Sequence, residues 1–204
     1  MAPEESGGEV EVAEDDEERL ARRAPAAEYD EERLARRAAA LRHVRRFGDP
    51  VLKSRAVPVT EFDDELRASL DRMAHLMDEA IGVGLSANQV GELRRMLVYR
   101  VEEDGDFQAL VNPQIEWFSE EKEAGFEGCL SLPEVGLEIE RPARIRVRAH
   151  DPFGEEFEIE AEGLEARVIQ HEVDHLDGVL ILDRASRSDR REAMKTLREA
   201  LRES

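Results

Sequence analysis

Residues 163–178 read GLEARVIQHEVDHLDG, and this stretch decides how the rest of the chain is interpreted. Leu164, Val168 and Leu176 recur at spacings that place them on one face of an α-helix. Gly178 follows the last apolar position, which is where helices commonly end. The sequence therefore predicts a helix with one apolar face, interrupted in its middle by the polar letters QHEVDH.

The polar interruption is an HExxH pattern made by His171, Glu172 and His175. Because residues four apart share one helix face, both imidazoles can bind a single divalent ion while Glu172 lies beside the open coordination position. The alternative is a surface helix with two unrelated histidines. Polar groups inside an otherwise apolar helix disfavour that alternative, since a core would not otherwise tolerate them. The pattern predicts a hydrolytic metal centre.

A catalytic site of this kind needs a third protein ligand. After His175 the chain contains no further histidine. Upstream, the only cysteine, Cys129, stands in EGCLS at 127–131. An isolated cysteine is most often a small buried apolar residue. Its setting in a predicted glycine-flanked loop, where the backbone can approach a ligand closely, instead favours a thiolate ligand.

A second glycine-rich stretch, GVGLSANQ, occupies residues 82–89. Its paired glycines permit close backbone contact with a ligand. A dinucleotide site is excluded, because that fingerprint needs a third glycine and a preceding strand, whereas this stretch follows a predicted helix. Gln89 offers a side-chain amide that could lie over a developing oxyanion. Taken alone, it would be interpreted as an ordinary polar loop residue.

The segments before the HExxH helix predict one further helix and several strands. A helix from Thr60, which can act as its cap, to about Ala80 has one buried stripe. The apolar positions of that stripe are Phe62, Leu66, Leu70, Met73 and Met77. Segments rich in branched and aromatic residues predict strands at 96–101, 109–115, 143–149 and 155–161.

Turn signals between these segments favour hairpins over long crossovers. They are Asp104-Gly105, Asn112-Pro113, Asp151-Pro152 and Phe153-Gly154. The predicted class is therefore α+β, with antiparallel β-strands packed around a central HExxH-bearing helix and with an N-terminal and a C-terminal helix.

Composition limits the class of protein. The 204 residues include 29 Lys and Arg against 49 Asp and Glu, a net charge of −20 that disfavours DNA and anionic membranes as partners of the whole surface. The apolar runs are far shorter than the roughly 18 residues needed to span a bilayer. The first thirty residues lack the features of signal and transit peptides. One cysteine excludes an internal disulfide, and a cytoplasmic protein is expected.

The chain is predicted to divide into three parts. Residues 1–40 form an acidic extension, disordered or loosely helical, because the acidic run at its start cannot bury enough apolar surface to fold. Within it the octapeptide EERLARRA occurs twice, at 17–24 and 31–38, with Glu-to-Arg spacings that favour short solvated helices. Residues 41–183 form the catalytic domain, and residues 184–204 form a C-terminal amphipathic basic helix.

Together, the three motifs resemble those of the peptide deformylase family, which carries GxGLAAxQ, EGCLS and QHExDHLxG in this order. Here they read GVGLSANQ at 82–89, EGCLS at 127–131 and QHEVDHLDG at 170–178. The second and third agree without change, and Ser86 stands where the family usually has alanine. The resemblance extends from about Arg46 to Leu182 and does not cover the acidic extension.

The resemblance implies that Cys129, His171 and His175 bind one divalent metal ion, Fe(2+) in many members and Zn(2+) in others. The fourth coordination position would hold water, whose pKa falls toward neutrality on binding. Glu172 would accept the proton of that water and deliver it to the departing amine. The implied reaction is hydrolysis of N-formylmethionyl peptides to formate and a free N-terminus.

The resemblance also implies how the substrate is held. The metal, the backbone N–H of Leu130 and the side-chain amide of Gln89 would stabilise the oxyanion. The methionine pocket would be lined by Val83, Leu164, Val168 and the ring of His171. Backbone groups of Gly84 would pair with the extended peptide, as an added strand does.

Deformylases act on nascent chains, which gives the basic C-terminal helix two interpretations. It either contacts ribosomal RNA through phosphates or packs on the core with a solvated outer face. Two other functions remain open for the whole chain. A zincin-like endopeptidase accounts only for the HExxH pattern, and a binding protein without catalysis is expected to have lost a ligand or Glu172, although all of these residues are present.

Overall fold

The computed structural model describes residues 31–102 and 105–203. The first repeat copy and the acidic run before it lie outside the described residues. The second copy forms most of helix α1 (Glu31–Ala40), in which Ala40 is buried and the other residues are exposed. A solvated helix is what the repeat predicts here. The division of the chain into extension, catalytic domain and terminal helix stays a prediction.

Helix α2 spans Asp64–Glu79 and begins later than predicted. The predicted cap, Thr60, is wrong, because the Asp63 carboxylate caps the helix by accepting a hydrogen bond from the Leu66 backbone N–H at 2.9 Å. Phe62 therefore precedes the helix, although it packs against the same core cluster. The rest of the predicted stripe is buried: Leu66, Leu70, Met73 and Met77.

Two antiparallel sheets account for the strands of the described residues. The larger sheet has the order β1-β2-β3-β6-β7 and consists of β1 (Gly84–Ser86), β2 (Met96–Tyr99), β3 (Gln108–Phe118), β6 (Arg144–His150) and β7 (Glu156–Glu162). The smaller sheet is a hairpin of β4 (Lys122–Cys129) and β5 (Leu132–Pro142). The four predicted strands are present, and the mixed class of helices and antiparallel strands is confirmed.

The turn predicted at Asn112-Pro113 is wrong. Both residues lie inside β3, where the pairing with β6 shifts register between Val111 and Gln114. Asn112 has φ of 54°, a conformation that asparagine tolerates better than most residues. Its side chain bonds the backbone of Val59 from both atoms, accepting at 2.7 Å and donating at 2.9 Å. The turn signal therefore marks a β-bulge.

Strand β4 shows why the loop predicted around Cys129 is wrong. Cys129 is the last residue of the strand. The fully buried residue of β4 is Glu127 rather than an apolar side chain, so the strand lacks the alternation that identifies strands in a sequence. Phe126 covers Gly136 on β5, where an added Cβ would lie 1.9 Å from the phenyl ring. Glycine at 136 leaves the space that the Phe126 ring occupies on the hairpin.

Helix α3 (Gly163–Leu176) carries the HExxH motif and packs against the larger sheet. Val168 and Leu176 are buried in that core, as predicted, whereas Leu164 is 54% exposed. Gly178 follows the helix with φ of 75°, and an added Cβ there would lie 2.7 Å from the carbonyl oxygen of Lys53. The left-handed conformation and the lack of space for a side chain both require glycine here, after the predicted end of the helix.

The C-terminal segment forms α4 (Ile181–Arg184) and α5 (Arg187–Glu203). Helix α5 buries Ala193 and Leu197 in a cluster shared with the β4–β5 hairpin. Within the described part of the chain, no helix is long and apolar enough to cross a membrane.

Candidate active site

The structure brings the three predicted ligands together. The Sγ atom of Cys129, at the end of β4, and one ring nitrogen each of His171 and His175, on α3, lie within 4.8 Å of one another. The Sγ atom is 3.2 Å from Nε2 of His175. The two imidazole centroids are 4.9 Å apart with planes at 71°, so both rings project from one helix face. One thiol and two imidazoles form a donor set that suits Zn(2+) or Fe(2+).

Glu127 orients His171 from behind. Its Oε2 atom lies 2.9 Å from Nδ1 of His171. When neutral His171 donates its Nδ1 proton to this carboxylate, Nε2 is free to bind a metal. Glu127 is the first residue of the EGCLS motif, and the sequence predicts no role for it. Its burial on a strand that is otherwise mostly exposed is the signal that only the fold reveals.

Glu127 belongs to a chain of buried ion pairs. Arg141 on β5 donates to it from Nε at 2.6 Å and from Nη2 at 2.9 Å, and Arg167 on α3 donates from Nη1 at 2.8 Å. Arg141 also bonds Asp174 at 2.8 Å, which in turn accepts from Arg184. Burial alone would raise the pKa of Glu127, but the hydrogen bonds from His171 and Arg141 lower it to about 2. Glu127 is therefore a carboxylate at neutral pH.

Glu172 is buried beside the three predicted ligands and lines a cavity that opens next to Cys129 and His171. Its Oε2 atom has no hydrogen-bond partner among the described residues. A Cβ at position 84 would lie 2.5 Å from Oε1 of Glu172, so the glycine of β1 leaves the space that this carboxyl needs. Burial raises the pKa of Glu172 to about 7, with His171 and Ser86 opposing the shift. A carboxyl with this pKa can both accept and donate a proton near neutrality.

Gln89 is held with its amide N–H groups toward Cys129. Its Oε1 atom accepts from the backbone N–H of Ser86 at 3.0 Å and lies 3.2 Å from the Ser86 hydroxyl. Its Nε2 atom donates to Ser131 Oγ at 3.2 Å and lies 3.7 Å from Cys129 Sγ. Ser86, which departs from the family pattern, thus adds a contact that fixes the amide. Leu130 lines the cavity next to Cys129.

A cavity of about 360 Å³ opens beside these groups. It is lined by all of the predicted substrate-binding residues: Val83, Gly84, Leu164, Val168 and His171. Val83 and Leu164 are each about half exposed, which suits side chains at an open pocket wall. Further lining residues are not predictable from the sequence: Arg37, Phe126, Val135 and Arg167. They come from elements whose placement depends on long-range packing.

Comparison with known proteins gives the family. A family model described as Polypeptide deformylase matches residues 41–191. The chain belongs to the peptide deformylase family. A peptide deformylase of Acidothermus cellulolyticus is 47% identical over 161 residues, covering 79% of this chain and 88% of the relative. One from Thermotoga maritima is 49% identical over 147 residues, covering 72% and 88%.

Solved peptide deformylase structures agree with this fold. The crystal structure of the Thermotoga maritima peptide deformylase has a TM-score of 0.68 at 50% identity, covering 70% of this chain and 96% of that one. A Synechococcus elongatus peptide deformylase in complex with actinonin has a TM-score of 0.72 at 40% identity, covering 75% and 85%.

Family membership settles the reaction class. Peptide deformylases are metal-dependent hydrolases that remove the formyl group from the N-terminus of nascent peptides, and this chain is one of them. The endopeptidase alternative is thereby excluded as the main activity.

Proposed function

We propose that Cys129, His171 and His175 hold one divalent ion and that Glu172 is the general base and acid of the deformylase reaction. The observation that carries this proposal is the convergence of three ligand atoms within 4.8 Å beside a buried carboxyl that has an unpartnered oxygen. Glu127 supports it because its carboxylate, 2.9 Å from Nδ1, favours the tautomer of His171 in which Nε2 can bind a metal.

Fe(2+) is the proposed ion, with Zn(2+) as the alternative. One thiolate and two imidazoles accept either ion, so geometry and supply decide which one is present in the cell. The likeness to a family with many Fe(2+) members favours iron. When bound, the ion supplies Lewis acidity toward an attacking water and toward the formyl oxygen.

Glu172 moves the proton in the proposed reaction. It accepts a proton from the attacking water as the water oxygen bonds to the formyl carbon. It then delivers that proton to the methionine nitrogen as the carbon–nitrogen bond breaks, so formate and a free amine leave. The raised pKa of Glu172, about 7, suits a group that must perform both transfers.

Gln89 and Leu130 are proposed to stabilise the oxyanion that forms on the formyl oxygen. The Gln89 amide is already oriented by Ser86 and Ser131, so little reorganisation is needed when charge develops. The backbone N–H of Leu130 is the second proposed donor, because Leu130 follows Cys129 at the cavity wall.

The cavity beside these groups is proposed to bind the methionine side chain. Val83, Leu164 and Val168 offer apolar surface, and the ring of His171 closes one wall. Gly84 is proposed to pair with the substrate backbone as an added strand. Because nascent formylated chains are presented by ribosomes, we propose that the enzyme acts in the cytoplasm.

Formate release tests the metal assignment. Protein purified without oxygen is stripped with a chelator, reloaded with Fe(2+) or Zn(2+), and assayed on formyl-Met-Ala-Ser with bound metal measured on the same sample. We expect activity to disappear with the metal, to return in proportion to its content, and to be faster with Fe(2+). Full metal occupancy without formate release would contradict the proposed site.

The outer face of α5 is proposed to contact ribosomal RNA. Arg191, Lys195 and Arg198 are exposed and lie on one helix face, since they are spaced by four and three residues. The opposite face buries Ala193 and Leu197. The cations can therefore contact phosphates without unpacking the helix.

Charge reversal tests this contact. Changing Arg191, Lys195 and Arg198 together to Glu is expected to abolish co-sedimentation with ribosomes at low salt while formate release from a short peptide continues. The matched control reverses the exposed Arg42, Arg46 and Arg72, which gives the same net charge. Equal loss in both triple variants, or no loss in the first, would argue against a site on α5.

A further inference from the structure

Arg37 lies at the active-site cavity although it precedes the segment that matches the family. The family model begins at residue 41, whereas Arg37 is on α1 and lines the cavity together with Gly82 and Leu130. Its Nε atom donates to the carbonyl oxygen of Ala80 at 3.3 Å. This bond fixes the guanidinium against the segment that leads into β1. Helix α1 thus adds a charged group to the wall of the cavity.

Among the acids that the structure describes around the cavity, none pairs with Arg37. Glu127 is matched by Arg141 and Arg167. Arg167 also donates to the carbonyl oxygens of Ile139 and Glu123. Among the described residues, Arg37 has only its bond to Ala80 and no ion pair. Its Nη1 and Nη2 atoms make no hydrogen bond to any residue that the structure describes, and both can donate to a ligand in the cavity.

The cavity extends from the proposed reacting groups to Arg37. Gly84 marks the reacting end, because a Cβ added there would lie 2.5 Å from Oε1 of Glu172. Ala80, which anchors Arg37, is four residues earlier, and four residues span at most about 14 Å. Arg37, Gly82 and Glu172 line one cavity, so a peptide whose formyl group lies at Glu172 and whose chain leaves past Gly82 reaches the guanidinium with its third or fourth residue.

We propose that Arg37 makes this enzyme select formylated peptides with a carboxylate side chain, Asp or Glu, at the third or fourth residue. This inference rests on the proposed function. A guanidinium recognises a carboxylate with paired, charge-assisted hydrogen bonds. The net charge of −20 acts in the opposite direction, since the field of the whole protein favours basic peptides. A preference for acidic peptides must then come from a local group.

Peptide pairs that differ in one side chain test the proposal. The probes are C-terminally amidated formyl-Met-Ala-Ala-Ala with Glu or Lys placed at the third or at the fourth residue. The Glu-to-Lys ratio of kcat/KM is measured at low salt within each variant, so losses from altered folding or metal content cancel. We expect a ratio above 1 in the wild type and a fall of about fivefold in Arg37→Glu at one of the two positions.

The matched control is Arg36→Glu. Arg36 is exposed on the same helix, makes the same change in net charge and does not line the cavity. Its ratio should remain that of the wild type. An unchanged ratio in Arg37→Glu, or the same fall in Arg36→Glu, would overturn the role of Arg37 while leaving deformylation itself intact. No formate release by wild-type enzyme from any of these peptides would instead contradict the proposed function.

Discussion

Replacing Glu172 with glutamine is expected to lower kcat for formate release by about 10² to 10⁴. Glutamine keeps the size of the buried side chain but cannot take a proton from the attacking water. The three proposed ligands are unchanged, so metal content should equal that of the wild type. Formate release and bound metal, measured on the same sample, check both parts of the prediction.

Glu165→Gln is the matched control for this substitution. Glu165 lies on the same helix, makes the same change in charge and accepts a hydrogen bond from the hydroxyl of Tyr99 at 2.8 Å, which a glutamine oxygen can also accept. It does not line the cavity, so kcat should remain near the wild-type value. Near-normal turnover by metal-loaded Glu172→Gln would assign the proton transfer to another group.

The sequence reveals the ligand residues because their chemistry is local. His171, Glu172 and His175 occupy one helix turn, and helical periodicity alone places the imidazoles on one face. Cys129 is 42 positions before His171, and it was predicted because no histidine follows His175 and glycine precedes it in EGCLS, with the motif resemblance as further support. Nothing in a single sequence states that the end of β4 meets α3, because that contact is made by the packing of two separate elements.

Buried charge hides other parts of the fold. The β4–β5 hairpin was missed because its inward position on β4 is Glu127, and a glutamate there removes the apolar alternation. Arg141, its partner, is equally unexpected inside a protein, since charged residues are rarely buried unless they are paired. The burial of each charge is explained only by its ion pair with the other, which the sequence does not show. Arg37 is similar, because an exposed repeat gives no sign of the cavity that it reaches.

Arg141→Leu is expected to lower the free energy of unfolding by about 3–5 kcal/mol. The Arg141 side chain is 5% exposed and is bonded to both Glu127 and Asp174. Its removal leaves two carboxylates with fewer partners in a poorly hydrated interior. Since Glu127 also orients His171, metal affinity should fall by about 10- to 100-fold. Urea unfolding of the metal-free protein and a competitive chelator titration measure the two effects separately.

Arg146→Leu separates burial from the mere loss of an ion pair. Arg146 bonds Glu160 at 2.9 Å on the outer face of the larger sheet, where its side chain is 46% exposed. In the variant, water can hydrate the Glu160 carboxylate in place of Arg146. The unfolding free energy should therefore fall by no more than about 1 kcal/mol, and the metal affinity should not change. If both variants lost similar unfolding free energy, the buried ion pairs of Arg141 would contribute no more than a surface ion pair, and the prediction would be wrong. A larger loss of unfolding free energy in Arg141→Leu would show that the ion pairs that position His171 also stabilise the packing of the β4–β5 hairpin on α3.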